Sequence, residues 1–257
     1  MAGNHISFID RIAHKRMMRR WARAARNAKS TELAELRGLR SAARLLRTHL
    51  DRLIHRADER LALPAIGSSA FPHPHNTEWS WRPELWRGSL GMPGMSSVQT
   101  KSMLGSEVTL FHDCEFSEMT LRQLRNLREE DLAPYGVRLD VFKFDGSFLS
   151  LVVDLPTEAV NGLTKNHLLG MNTIVEMEKP IEIFARLNVR HGPNTEQIVR
   201  ELPLHEADVT VEFDLAYSKL NEKRVEGAWV DLIFEGPEMN QVTLRDLTFS
   251  RRPRAAL

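Results

Sequence analysis

The sequence predicts a mainly β fold, an antiparallel jelly-roll-like β-sandwich, preceded by an N-terminal basic helical hairpin or coiled-coil element. Between Val137 and Phe249, apolar residues recur at every second position in segment after segment, and Gly, Pro and Asn separate the segments. Side chains alternate between the two faces of a strand, so this pattern buries one face of each strand and exposes the other. Many short strands at even spacing are typical of a sandwich or barrel.

The charges are divided unevenly along the chain. The net charge is only +1, but residues 1–60 carry +9 and the remainder carries −8. Opposite charges on the two halves predict either two surfaces with different partners or two halves that dock on each other. The predicted domains are a basic helical region at 1–63, a connector rich in Pro, Trp and Gly at 64–106, and a β-sandwich at 107–257.

The first predicted helix is basic and amphipathic. Its apolar positions follow helical spacing and are Ile6, Ile9, Ala13, Met17, Trp21 and Ala24. The candidate residues for an anionic partner are Lys15, Arg16, Arg19, Arg20, Arg23 and Arg26. Such a helix suits contact of residues 6–29 with an anionic membrane surface or nucleic acid, or packing of its apolar stripe on a neighbour.

A second helix carries a coiled-coil seam. Its apolar positions alternate between steps of three and four and are Leu36, Leu39, Ala43, Leu46, Leu50, Leu53 and Ala57. The mean interval of 3.5 favours a partner helix, either the first helix folded back or a copy from another subunit. Residues 36–57 are therefore a candidate for self-association or for a protein partner, and packing against the chain's own domain is the alternative. Pro64 ends the predicted helical region.

The connector concentrates aromatic residues. Trp79, Trp81 and Trp86 are three of the five tryptophans in the chain. Trp79 and Trp81 would share one face of an extended strand, where they would either stack on a sugar or seal one end of a β core, the commoner arrangement. Residues 88–106 are predicted to form a loop.

The remaining segments predict the strands of the sandwich. A strand is predicted at 107–113, whereas residues 119–128 fit either a strand or a short helix. The further strands are predicted at 137–144, 148–155, 171–178, 181–190, 196–203, 208–217, 228–234 and 241–250. Their lengths and the turns between them match a two-sheet antiparallel sandwich of the jelly-roll type.

Several classes of protein are disfavoured by the sequence. A single cysteine, Cys114, excludes an internal disulfide framework, and the first residues lack the apolar run of a secretory signal, so cytoplasmic synthesis is expected. No segment approaches the ~20 apolar residues of a membrane span, which predicts a soluble, peripheral or particle-associated protein. The sequence holds no phosphate loop, dinucleotide fingerprint or zinc pattern, which argues against nucleotide-dependent catalysis.

Three segments resemble a family of uncharacterised bacterial proteins, namely 144–156, 185–195 and 244–253. This resemblance implies no activity. The closing pair of strands is similar to carbohydrate-binding modules, whose jelly rolls also end in an aromatic apolar strand, a turn and a final alternating strand. The chain also resembles the glycan-binding head spikes of phage-like gene transfer particles. These two likenesses imply glycan binding and association with a virion-like particle.

In a sugar-binding jelly roll, aromatic side chains stack on the sugar while polar side chains bind its hydroxyls. The polar candidates lie on one predicted strand and the turn after it, and they are Arg186, Asn188, Arg190, His191 and Asn194. The first three share one face by the period of two, although such a face is normally just solvated. The aromatic candidates are Trp79, Trp81 and Trp86, whereas Trp229 and Tyr217 are expected in the core.

The other potentially reactive residues are predicted to have structural rather than catalytic or metal-binding roles. His112, Asp113 and Cys114 are neighbours on a strand, so at most two can converge, and His73 and His75 lack further metal donors at a recognisable spacing.

Hydrolysis of a glycoside needs two carboxylates facing each other across the scissile bond. Asp231 is a candidate neighbour of Glu212 or Asp246 across strands, but the alternation fits solvent-facing positions equally well. Asp246 is also the one candidate ligand for a structural calcium ion, and no other cofactor is expected.

The leading hypothesis is a noncatalytic β-sandwich that binds a glycan or another extended polar ligand and is anchored by the basic helical N-terminus. The alternative is a structural or adaptor protein of a particle or envelope-associated assembly, whose basic helix contacts anionic lipid, nucleic acid or an acidic protein. A hydrolase on a jelly roll is the third hypothesis.

Overall fold

The computed structural model describes residues 8–66 and 71–254, and the exposure of side chains within 13–57 and 71–254. The chain divides into two compact units, Met1–Arg52 and Leu53–Leu257. Helix α1 (Phe8–Asn27) and helix α2 (Leu33–Ile66) form the predicted N-terminal helix pair. The sequence predicted that Pro64 ends the helical region, but helix α2 continues two residues past Pro64, to Ile66. None of the described helices combines the length and apolarity needed to span a bilayer.

The segment between the helices completes the end of α1. The hydroxyls of Ser30 and Thr31 donate hydrogen bonds to the backbone carbonyl of Asn27, at 3.1 and 2.9 Å. This carbonyl is one of those that a helix leaves without an internal partner at its C-terminus. The two hydroxyls therefore satisfy the last turn of α1.

The second unit contains short helices and thirteen strands among its described residues. The elements before residue 130 are β1 (Trp79–Trp81), α3 (Glu84–Arg87), β2 (Gly94–Ser96), β3 (Ser102–Leu104), β4 (Val108–His112) and β5 (Glu118–Arg125). The middle elements are β6 (Tyr135–Lys143), β7 (Leu149–Asp154), α4 (Thr157–Val160), β8 (His167–Met177) and β9 (Ile183–His191). The last are β10 (Asn194–Glu201), β11 (Asp208–Asp214), β12 (Val225–Phe234) and β13 (Asn240–Pro253).

The strands form two antiparallel sheets. Sheet A has the order β11-β8-β13-β6-β5-β2, with β1 also paired to β13, and sheet B has the order β10-β9-β12-β7-β4-β3. Strands β11 and β13 lie in sheet A and β12 lies in sheet B, so the chain crosses from one sheet to the other twice over these strands. Strands β12 and β13 occupy central positions in their sheets. Two antiparallel sheets with such crossovers make a sandwich of the jelly-roll type. The predicted fold class is therefore confirmed.

Each predicted strand between 137 and 250 is present, and the ambiguous segment 119–128 is strand β5. The prediction of a loop at 88–106 was wrong in part, because this segment contains β2 and β3. Both are edge strands of three residues, paired with β5 and β4 respectively. Strands this short have too few alternating positions for the sequence pattern to reveal them.

The core lies between the two sheets and is built from the inward positions of the alternating segments. Leu110, Leu151, Leu187 and Leu232 come from four adjacent strands of sheet B and are at most 1% exposed. Since neighbouring positions along a strand point to opposite faces, the residues directly before and after each of these leucines lie on the outer face of sheet B. That face carries the candidate site.

Candidate ligand-binding cleft

A cleft of about 570 Å³ lies on the outer face of sheet B, across β4, β7, β12 and β9. One row of its lining residues runs straight across the sheet, because Thr109 pairs with Val152, Val152 with Asp231, and Asp231 with Arg186. Paired positions of adjacent strands share a face, so the backbone register brings these four side chains together. The volume is that of an ordinary small-molecule or cofactor site.

Aromatic side chains line both ends of the cleft. Trp229 lies half-buried at one end, opposite Asp154 of β7. Phe148, which is 44% exposed, lines the other end together with Phe111. Phe148 and Asp154 are six positions apart in extended chain, so roughly 20 Å separates the two ends. Val152 and Ile233 provide an apolar floor between them.

A fixed carboxylate lies in the middle of the cleft. The Oδ2 atom of Asp231 accepts hydrogen bonds from Nε and Nη2 of Arg186, at 2.8 and 2.6 Å, and from Nδ2 of Asn188 at 3.1 Å. The Oδ1 atom of Asn188 in turn accepts from Nε2 of Gln197 at 2.8 Å. Asp231 is only 4% exposed, so these donors hold its charge in one orientation.

Two further polar groups face the cleft. Partial burial, and then the nearby charge of Asp231, raise the pKa of the Asp154 carboxyl above its usual range. Ser150 is 6% exposed, and its Oγ atom has no hydrogen-bond partner within the described part of the chain. A buried hydroxyl without a partner is costly, and a polar ligand in the cleft would relieve that cost.

The loop that presents Phe148 is held by Asp113. Its Oδ1 atom accepts hydrogen bonds from the backbone N–H groups of Ser147 and Phe148, at 2.7 and 3.1 Å, and its Oδ2 atom accepts from Oγ of Ser147 at 2.6 Å. The Ser147 hydroxyl is the largest cause that lowers the pKa of Asp113. The neighbouring His112 is buried, and its Nδ1 atom accepts from the backbone N–H of Cys114. Asp113 therefore positions the aromatic rim of the cleft.

The predicted polar strand is only partly at this site. Arg186 lines the cleft and Asn188 supports it, on the one face that the sequence predicts. Arg190 instead pairs with Glu226 at 3.0 Å, outside the lining. His191 is buried and its Nδ1 atom accepts from the backbone N–H of Asn221, so its assignment as a ligand residue was wrong. Asn194 is exposed at the start of β10, also outside the lining.

The tryptophan-rich connector belongs to the core rather than to the cleft. Trp86 has no exposed surface, and its Nε1 atom donates to the carbonyl of Leu244 at 3.1 Å, so its assignment as a ligand residue was wrong. Trp79 and Trp81 stack with ring centroids 6.3 Å apart, and Trp81 packs on Phe249 at 5.8 Å. Both pack partly buried against the core. Because β1 pairs with β13, both rings lie on the inner side of the sheet next to Phe249, where they cover the core.

The two aromatic residues that we expected in the core are outside it. Trp229 lines the cleft, and Tyr217 is 84% exposed beside Arg254. In β12, Ala228, Val230 and Leu232 point inward, and this places Trp229, Asp231 and Ile233 outward. Period-two alternation defines these two sets but does not say which one faces the core. Asp154 and Phe148 were missed for the same reason, and Asp231 was named only as a candidate catalytic carboxylate.

Asp246 is not placed to bind calcium. Its Oδ1 and Oδ2 atoms accept hydrogen bonds from Nε and Nη2 of Arg82, at 2.8 and 2.6 Å, and the carboxylate is buried. The expected pairing of Asp231 with Glu212 or Asp246 was also wrong, because Asp231 lies in sheet B and the other two lie in sheet A. Across the described residues, no group of three His, Cys, Asp or Glu side chains is arranged to hold a metal ion.

Two other surfaces complete the description. A smaller cleft of about 210 Å³ lies between the connector segment 71–74, which includes His73, and the outer face of sheet A. In α1 the predicted anion-binding side chains are all exposed, and they are Lys15, Arg16, Arg19, Arg20, Arg23 and Arg26. Ile6 and the side chain of Ile9 lie outside the described residues. In the α2 seam, Leu50 and Leu53 are 47% and 65% exposed.

The model of one protein family, described as "Family of unknown function (DUF6478)", matches residues 1–257. This confirms the expected resemblance to an uncharacterised family. The comparison with curated proteins returns no match.

Several solved structures are similar to the chain at low identity. A family 11 carbohydrate-binding module from Clostridium thermocellum, in complex with a mixed-linked tetrasaccharide, has a TM-score of 0.40 and 9% identity, with 64% of this chain and 99% of that one covered. A putative sugar binding protein from Bacteroides thetaiotaomicron has a TM-score of 0.39 and 11% identity, covering 63% and 96%. The enzymatically active domain of tailspike protein 4 from bacteriophage CBA120 has a TM-score of 0.40 and 9% identity, covering 60% of this chain and 21% of that one. At these values the likeness says nothing about the ligands of this chain.

Proposed function

We propose that this chain, which belongs to the DUF6478 family of unknown function, binds a glycan in the sheet B cleft without cleaving it. One observation carries the proposal. Trp229 and the fixed carboxylate of Asp231 are two positions apart on β12 and line the same solvent-open cleft. A sugar ring presents an apolar face that stacks on an indole and hydroxyls that donate to a carboxylate, so this combination suits a sugar.

The remaining lining fits the same class of ligand. Ser150 offers a buried hydroxyl that lacks a partner among the described residues, and Thr109 adds another hydroxyl. Phe111 and Phe148 provide a second aromatic surface at the far end. Because aromatic side chains lie at both ends of a cleft roughly 20 Å long, the cleft suits an extended chain of sugars rather than one ring.

The proposal that no cleavage occurs rests on Asp231. Besides an acid, for which Asp154 is available, a glycosidase needs a second carboxylate that is free to act as a base or nucleophile. Three donors from Arg186 and Asn188 occupy the Oδ2 atom of Asp231 and hold it as a structural acceptor. We propose that this carboxylate orients a sugar and takes no proton from water.

The experiment is binding of the full chain to an array of bacterial polysaccharides and defined oligosaccharides. We expect retention on at least one glycan, and about tenfold weaker binding after Trp229→Ala, because stacking is lost. Tyr217→Ala is the matched control, since this aromatic is exposed but lies outside the cleft. No binding by the folded chain would contradict the proposal. New reducing ends that disappear in Asp154→Asn would contradict a noncatalytic role.

We further propose that α1 anchors the glycan-binding unit to an anionic surface. Its six exposed basic side chains support this, because each Lys or Arg near an anionic membrane contributes about 1 kcal/mol. The test is co-sedimentation of the full chain with vesicles that contain phosphatidylserine, with duplex DNA as a second probe. Changing the six residues to Gln should abolish binding, whereas changing Arg37, Arg40 and Arg44 of α2 to Gln should reduce it less.

The second candidate function is that of a structural or adaptor protein in a larger assembly. It is favoured by apolar side chains exposed on one face of α2, where Leu50, Leu53 and Ile54, at spacings of three and four, are 47%, 65% and 50% exposed. Exposed apolar side chains in a row on one helix are typical of a surface that another helix covers. Analytical ultracentrifugation tests this function, and a chain that stays monomeric at all concentrations would argue against self-association through 36–57.

A further inference from the structure

Trp229 and Asp154 form a directly opposed pair across β12 and β7. Both line the sheet B cleft, so both side chains are on the outer face. Side chains of directly opposed residues have Cβ atoms about 4.5–5.5 Å apart. A ligand group that enters this end of the cleft therefore meets an indole and a carboxylate together.

The charge of Asp154 is not neutralised by the cleft. The charged lining residues are Asp154, Asp231 and Arg186. Two guanidinium nitrogens of Arg186 lie within 2.8 Å of Oδ2 of Asp231, so Arg186 is paired with Asp231. No salt bridge to Asp154 occurs within the part of the chain that the structure describes. This end of the cleft is therefore negative, with Asp154 as its exposed carboxylate.

The neighbouring strand adjoins Asp154 through its backbone, and its Glu107 side chain lies outside the cleft lining. The backbone N–H of Asp154 donates to the carbonyl of Glu107, so Glu107 adjoins it on the β4 side. The charged neighbours of Glu107 are Glu84 and Arg87. Partial burial and the charge of Asp231 raise the pKa of Asp154, so a cation beside this carboxylate would offset both effects.

We infer that the glycan bound in this cleft carries a protonated amine, as a glucosamine unit does, and that the amine lies between the Asp154 carboxylate and the Trp229 ring. An ammonium group is attracted both by a carboxylate and by the face of an indole. An N-acetylated sugar of the same shape stacks on the indole but has no charge for Asp154. The Oγ atom of Ser150 lacks a partner among the described residues and is four positions from Asp154, so it suits a hydroxyl of a sugar further along the cleft. The inference depends on the proposed glycan-binding function.

The test compares two probes of equal length, a glucosamine oligosaccharide and its fully N-acetylated counterpart, by calorimetry with the full chain at mildly acidic pH. We expect the glucosamine probe to bind roughly tenfold more tightly, which corresponds to one added charge-assisted contact. Asp154→Asn should remove this preference, so that the two probes bind with equal affinity. Trp229→Ala should weaken both probes. Glu226→Gln, at an exposed carboxylate outside the cleft, is the control that should keep the preference.

Each other outcome decides against a specific statement. Equal affinity for the two probes, or a preference that survives in Asp154→Asn, overturns the amine assignment and leaves glycan binding standing. Binding of neutral glycans from the array with no binding of the glucosamine probe has the same meaning. A folded chain that binds no glycan at all overturns both the amine assignment and the proposed function.

Discussion

Arg82 and Asp246 form a bidentate salt bridge in which both side chains are at most 5% exposed and the two residues are 164 positions apart. The contact attaches the connector to the centre of β13. The Phe71 ring lies 4.9 Å from Cζ of Arg82 and covers the pair from the connector side. Two charges buried in this way require each other, because neither could remain ionised at low cost alone.

Asp246→Ala is therefore expected to destabilise the protein by about 3–5 kcal/mol, because it leaves the Arg82 guanidinium buried without its partner. Chemical denaturation measures the change in free energy of unfolding. The control is Glu226→Ala, which breaks the exposed pair with Arg190 and should cost no more than about 1 kcal/mol. Equal costs for the two variants would mean that the buried pair is not structural.

Trp86→Ala is expected to cost about 3–5 kcal/mol of stability, because it leaves a cavity in the core and removes the donor to the Leu244 carbonyl. The variant should keep its affinity for the glycan as long as it is folded. Urea denaturation and the array measure the two effects separately. Tyr217→Ala should change the free energy of unfolding by no more than about 0.5 kcal/mol. A loss of glycan affinity in a folded Trp86→Ala variant would show that this residue contributes to ligand binding.

Glu107 is expected to make stability depend on pH. Burial, as the largest cause, raises the pKa of Glu107 from 4.5 to about 7. Since the folded state holds the proton more tightly than the unfolded state, this contribution is complete below the unfolded pKa and is lost as pH rises through about 7. The melting temperature of the wild type should fall more between about pH 5 and about pH 8 than that of Glu107→Gln. Parallel curves for the two proteins would contradict the shift.

Asp113→Ala is expected to loosen the loop that carries Phe148, because the carboxylate accepts three hydrogen bonds from Ser147 and Phe148. Hydrogen exchange at the amides of these two residues should become faster, and affinity for the glycan should fall although Asp113 itself is outside the lining. Ser147→Ala removes only the hydroxyl bond and should have a smaller effect. Unchanged exchange rates would show that the loop is held by other contacts.

The alternation of apolar residues predicted the strands and the sandwich, because burying one face of each strand is a local requirement written in consecutive residues. The same pattern failed at β2 and β3, which are too short to alternate visibly. The heptad spacing and the basic residues of α1 similarly predicted two helices with exposed charges. What these helices bind remains a prediction of the sequence.

The candidate site depended on tertiary structure. Trp229 was assigned to the core and Trp86 to the ligand site, and the structure reverses both positions. Asp154 and Asp231 are far apart in sequence and face one cleft only because β7 and β12 pair in one register. The sequence by itself determined the strands, the helices and the division of charge, because these depend on neighbouring residues. Only the packing of the two sheets decided which face of each strand is buried, and therefore which side chains a ligand can reach.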